Sequence, residues 1–112
     1  MKIYNDVVET IGNTPLVYLS HLAQGLGGLV AAKLEFMNPM SSVKDRTAAN
    51  LIADAEEHGL LTPGALVVEA TSGNTGIGLA CVCAARGYRL TIVMPDNMTQ
   101  ERIKILKLWE PR

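Results

Sequence analysis

The run Thr71-Ser72-Gly73-Asn74-Thr75-Gly76 gathers three hydroxyls, one amide and two glycines into six residues. It follows a nearly unbroken apolar stretch, Ala65 to Ala70, and precedes a small-residue apolar stretch, Ile77 to Arg86. It therefore joins the C-terminal end of a strand to the N-terminus of a helix. Open α/β sheets place ligands at such junctions. Free backbone N–H groups and the positive helix end attract an anion there. Gly73 and Gly76 permit close approach of a ligand, and Thr71, Ser72, Asn74 and Thr75 offer polar partners. A small carboxylate or a phosphate suits this chemistry. Neither GxGxxG nor GxxxxGK[ST] is present, so the dinucleotide and P-loop fingerprints are missing. Taken alone, the loop is equally a strand–helix connection closed by Ser and Thr caps.

Lys44 is the second candidate. It lies in Pro39-Met40-Ser41-Ser42-Val43-Lys44-Asp45-Arg46, where a helix is expected to begin. A cation at a helix N-terminus works against the helix dipole. Its amine is thereby biased toward the neutral form that a nucleophile or proton shuttle needs. On one residue alone, an ordinary surface lysine beside Asp45 accounts for it as well.

The elements that must position these groups follow from periodicity. Gly12 to Pro15 is a turn between two apolar runs. Leu29 to Phe36 alternates, with Val30, Ala32, Leu34 and Phe36 on one face and Lys33 and Glu35 on the other, which predicts a strand ended by Asn38-Pro39. Ala48, Leu51, Ile52 and Ala55 predict a helix over 43–58, with Ser42 as N-cap, Asp45 as capping-box partner and Gly59 just past the end. Thr62-Pro63-Gly64 is a turn. Strands 65–70 and 89–94 carry the pattern of burial on both faces, and helices are expected over 77–86 and from Met98 to about Trp109. Alternation of strand and helix predicts an α/β fold with a parallel sheet flanked by helices.

Composition narrows the class. The chain has 112 residues, 48% hydrophobic and 19% charged, with a net charge of -1. That is one soluble globular domain's worth of core, with no basic stripe for nucleic acid. The apolar runs are too short for a membrane span, and the first residues lack a signal peptide's pattern. A cytoplasmic protein is the expectation. Cys81 and Cys83 lie two apart on a helix, so they cannot pair and read as small buried side chains. His21 and His58 have no ligand at metal spacing and read as surface residues.

Segment by segment, the chain resembles the cysteine synthase group of fold-type II pyridoxal-phosphate (PLP) enzymes. Ile11-Gly12-Asn13-Thr14-Pro15-Leu16-Val17 resembles the family's opening motif. Lys33-Leu34-Glu35, Asn38-Pro39 and Ser42-Val43-Lys44-Asp45-Arg46 resemble its cofactor-lysine region. Glu69 to Gly78 resembles its substrate loop, and Met94-Pro95 with Glu101-Arg102 the strand and helix that follow. The resemblance implies the N-terminal part of a tryptophan synthase β-like fold. About residues 1–36 would pack partly with a larger domain, and about 37–112 would form a small α/β domain. It implies that Lys44 carries PLP and abstracts the substrate α-proton, and that Asn74 bonds the cofactor's 3′-oxygen. Thr71, Ser72, Gly73 and Thr75 would hold the substrate carboxylate. The implied reaction replaces the acetate of O-acetylserine with sulfide to give cysteine, in a homo-oligomeric enzyme. Asp45 and Arg46 read as a cap and an ion-pair residue.

Family members are far longer. The glycine-rich loop for the PLP phosphate and the residue facing the pyridine nitrogen lie beyond the matched segment. Leu108-Trp109-Glu110-Pro111-Arg112 departs from the family, and Pro111 discourages a further strand. The chain is therefore expected to be an N-terminal portion, to self-associate through uncovered apolar surface, and to bind PLP weakly or not at all by itself. Alternatives are a cystathionine β-synthase-like enzyme and a catalytically silent fragment acting only in self-association.

Overall fold

The structure is a computed structural model that describes residues 1–109. The expectation for Pro111 lies outside the described residues. Seven elements follow in order: β1 (Leu16–Tyr18), β2 (Ala31–Lys33), α1 (Lys44–Glu57), β3 (Leu66–Ala70), α2 (Asn74–Arg86), β4 (Arg89–Val93) and α3 (Gln100–Leu108). Short 3-10 turns occupy Val8–Thr10 and Glu35–Met37. Among the described residues no helix is long and apolar enough to cross a membrane.

The α/β class holds. β3 and β4 pair in parallel, Leu66 opposite Arg89 and Ala70 opposite Val93, with α2 as the crossover. The strand expected over 29–36 is a correction. Only Ala31–Lys33 is extended, and it pairs antiparallel with β1 rather than joining the parallel sheet. The cause lies in side chains. Asn38 donates to the Glu35 carbonyl at 2.9 Å and curls 35–37 into a 3-10 turn. Arg46 then draws the Glu35 carboxylate toward α1. Phe36 consequently points to solvent.

α1 and α2 form the core. Ala48, Ile52, Leu79, Val82, Cys83 and Tyr88 are buried together, with Val67 and Leu90 of the sheet beneath them. Leu51, expected inside, is exposed, because the apolar stripe of α1 that meets α2 is narrow. α1 ends in a Schellman motif: Gly59 adopts φ +68°, and the N–H groups of Gly59 and Leu60 donate to the carbonyls of Glu56 and Ala55. Glu56 pairs with Arg86 at 2.9 Å and accepts from the Tyr88 hydroxyl at 2.9 Å. Gly78 touches α1 at Lys44 and Ala48. The two helices therefore run parallel and begin at the same end.

The strands' double-sided pattern meets cover on one face only. Leu66, Val68 and Val93 stay 49%, 59% and 56% exposed, while Val67, Leu90 and Ile92 turn toward the helices. Cys81 and Cys83 are buried free thiols. Burial pushes both up to about 11, with nearby Asp45 and Asp6 adding to the rise at Cys81. Neither is a reactive thiolate at neutral pH.

Candidate functional site

Lys44 opens α1. The helix starts one residue later than expected, with Val43 in the cap position, yet the capping bond still comes from Ser42, whose hydroxyl accepts the Lys44 N–H at 3.0 Å. Asp45 does not act as the expected capping-box partner of Ser42. Its Oδ2 accepts the Met40 N–H at 2.6 Å and closes the turn before the helix. The Lys44 side chain is exposed, and among the described residues its ammonium enters no ion pair.

The polar loop is shorter than expected, because α2 begins at Asn74 rather than near Ile77. Gly73 is the extended residue before the helix, and its N–H donates to Thr71 Oγ1 at 3.2 Å. Asn74, Thr75 and Gly76 thus form the first helical turn; the Gly76 N–H donates to the Gly73 carbonyl at 3.2 Å, and those of Asn74 and Thr75 have no partner within the helix. Thr71 and Thr75 are half-buried, while Ser72 and Asn74 are exposed. A side chain on Gly76 would lie 2.7 Å from Thr71 Cγ2, so Gly76 makes room for the folded-back threonine. A Cβ on Gly73 would meet nothing within 4 Å, so the loop is open to approach.

Thr71 donates its N–H to the Val93 carbonyl at 3.1 Å, which places the loop at the carboxyl ends of both parallel strands. Lys44 reaches the same end through Gly78. The Gly78 Cβ position lies 3.0 Å from the Lys44 carbonyl oxygen, and Asn74 is one helical turn before Gly78 on the same face. Lys44, Asn74 and the loop of Thr71, Ser72, Gly73 and Thr75 therefore gather where α1 and α2 both begin. Two helix N-termini at one end can hold an anionic ligand, and an exposed lysine there has the chemistry to attack or deprotonate it.

Two features go beyond the sequence expectations, which named Arg46 only as an ion-pair residue. Arg102 Nη1 of α3 donates to the Ser72 carbonyl and ties the loop to that helix. Its signal was available, since a cation in a first helical turn opposes the dipole as Lys44 does. The other is a staple around Arg46, which pairs with Glu35 at 2.7 Å and donates to the Gly12 carbonyl at 2.9 Å. Thr14 and Asn38 complete it through the Glu35 carboxylate. Arg46 beside Glu35 holds that carboxyl down at about 2. The staple fastens the 12–38 segment to the first turn of α1. An apolar groove lined by Tyr88, Leu90, Ile103 and Trp109 lies elsewhere, between α2, β4 and α3, and shares no residue with the site.

Residues 7–111 match the family described as "Pyridoxal-phosphate dependent enzyme". A probable cysteine synthase of Bacillus subtilis is 53% identical over 109 residues, covering 97% of this chain and 35% of the relative. Cysteine synthase A of Salmonella typhi is 56% identical over 106 residues, covering 95% and 32%. The crystal structure of a cysteine synthase from Entamoeba histolytica superimposes with a TM-score of 0.89 at 46% identity, over 96% of this chain and 33% of that one. The chain spans about a third of the length of the relatives it matches.

Proposed function

This chain belongs to the pyridoxal-phosphate dependent enzymes, and we propose that it is the N-terminal portion of a cysteine synthase, with Lys44 as its cofactor lysine. The observation that carries the reading is that α1 begins with Lys44 packed against Gly78, one turn into the helix that the Thr71–Gly76 loop leads into. The residues present fit PLP in three respects. Lys44 offers an exposed amine for the aldehyde, Asn74 an exposed amide in the first turn of α2, and Gly73 an unobstructed backbone. When bound, PLP supplies an electron sink for charge developing at the substrate α-carbon.

The chain's own residues then have distinct tasks. Lys44 Nζ takes and returns the α-proton. The N–H groups that open α2, with the hydroxyls of Thr71, Ser72 and Thr75, hold the substrate carboxylate against the helix N-terminus. Asn74 would help hold PLP in place, as the family resemblance implies. Gly76 lets Thr71 fold over the loop, and Arg102 keeps the Ser72 carbonyl turned away from the bound anion. The substrates are O-acetylserine and sulfide, and the products are cysteine and acetate. On family resemblance the whole enzyme is a cytoplasmic homo-oligomer. About residues 37–112 would belong to its small α/β domain, and about residues 1–36 would pack partly with the larger one.

A chimera tests this. These 112 residues joined to the remaining two-thirds of the Bacillus subtilis relative should bind PLP with a visible absorbance band and form cysteine from O-acetylserine and sulfide. Lys44→Ala should abolish both. A chimera that binds PLP but forms no cysteine would leave the family and discard the reaction. Retention of the band in Lys44→Ala would discard the assignment of Lys44.

A further inference from the structure

We infer that Asp45 is a positioning residue for Lys44, an inference that rests on reading Lys44 as the cofactor lysine. Asp45 is 1% exposed and is the only ionisable acid or base in the core of the described residues besides the thiols and Tyr88. Its Oδ2 accepts the Met40 N–H at 2.6 Å, while its Oδ1 is buried without a partner. Leaving a buried carboxylate oxygen unmatched costs stability. A serine or asparagine would close a helix start at lower cost. Capping alone therefore does not explain a side-chain acceptor turned inward to Met40.

The turn it closes does. Ser41, between Met40 and Asp45, adopts φ +60°, and it is the only described non-glycine residue with a positive φ. That conformation is disfavoured for a residue with a Cβ. It persists where surrounding bonds over-determine it. Three do so: Ser41 N–H to the Asn38 carbonyl at 2.8 Å, Lys44 N–H to Ser42 Oγ at 3.0 Å, and Met40 N–H to Asp45. The last spans the whole turn, from Met40 to the first turn of α1. Asp45 faces inward as the anchor, and its neighbour Lys44 faces out as the first residue after a tied turn. The carboxylate thus sets where the amine leaves the backbone, beside Gly78 and the polar loop.

Two variants and two readouts test this on the 112-residue chain. Asp45→Asn keeps an acceptor for Met40 without the charge, and Asp45→Ala removes it. The first readout is borohydride trapping at excess PLP, with adducts mapped over Lys2, Lys33, Lys44, Lys104 and Lys107. The second is amide exchange at Met40 and Lys44 in the absence of PLP. Asp45→Ala should lower the Lys44 share of adducts and the protection of both amides by roughly tenfold each, with a cooperative melt retained. Asp45→Asn should restore most of both. An Asp45→Ala chain that keeps the Lys44 share or both protections overturns the inference. So does an Asp45→Asn chain that loses as much as the alanine variant. If Asp45→Ala does not fold, Asp45→Asn against wild type decides, and loss of Lys44 selectivity there counts against it. If wild type shows no Lys44 preference, the cofactor reading fails, and the positioning inference is then judged on amide exchange alone.

Discussion

Gly78 packs against Lys44 so closely that a methyl group added to the glycine would come within 3.0 Å of the lysine's carbonyl oxygen. The obstacle is backbone at the start of α1, which cannot swing aside as a side chain would. Ala48 Cβ stands at 3.1 Å on the same side. Gly78→Ala should therefore push the helices apart, costing about 1–3 kcal/mol as overpacking does. It should also displace Lys44. Urea unfolding should show a lower midpoint at unchanged slope, and borohydride trapping should show a reduced Lys44 share. An alanine variant as stable as wild type would mean that the helices pack less tightly than this contact requires.

Gly76 makes a parallel case within the loop. A Cβ there meets Thr71 Cγ2 at 2.7 Å. The threonine can yield only by rotating its β-branched side chain, which breaks the bond from the Gly73 N–H to its hydroxyl. Gly76→Ala should thus free the Gly73 amide, seen as faster hydrogen exchange there, and in the chimera it should raise KM for O-acetylserine. Unchanged exchange at Gly73 would show that the hydroxyl does not hold the loop.

The pattern of apolar residues located α1, β3, α2, β4 and α3 to within a few residues, because those elements bury a stripe or an alternating face. The candidate amine and loop were legible for a similar reason: polar and glycine residues interrupt apolar runs there. Long-range bonds between side chains and backbone were not legible. Asn38 and Arg46 bend Glu35–Met37 out of an alternating sequence, and Gly12, which accepts from Arg46, lies 34 residues away. α2 starts early because Thr71 ties Gly73, a bond that periodicity does not reveal. Asp45 has the composition of a surface cap and the location of a core residue, and only packing distinguishes the two.

Two carboxylates should give opposite pH signatures. Arg46 depresses Glu35 from 4.5 to about 2. The stability contributed by that staple is therefore complete above pH 4.5 and is lost as pH falls through about 2. Burial raises Asp45 above its ordinary 3.8. The native state then holds that proton more tightly than the unfolded chain, so this group lowers stability as pH rises from 3.8 through its native value. Glu35→Gln should flatten the acid limb of a stability-against-pH curve. Asp45→Asn should leave that limb and remove the decline above it. An acid limb unchanged in Glu35→Gln would rule out the staple as its source.

The outer face of the β3–β4 sheet supplies the last prediction. Leu66, Val68 and Val93 stand on one side of two parallel strands, 49%, 59% and 56% exposed to solvent. Parallel strands are normally covered on both faces, and a contiguous apolar patch of this kind drives association. The 112-residue chain by itself should therefore sediment with a concentration-dependent average mass and bind a hydrophobic dye. A double substitution, Val68→Lys with Val93→Lys, should make it monomeric and dye-negative while its far-ultraviolet circular dichroism stays the same, since neither side chain belongs to the buried cluster. In the chimera the same pair should have the reverse consequence. There the rest of the enzyme covers the sheet, and two lysines beneath it should lower stability and PLP content together. A wild-type chain that stays monomeric at all concentrations, with no dye bound, would show that this face is sealed without a partner.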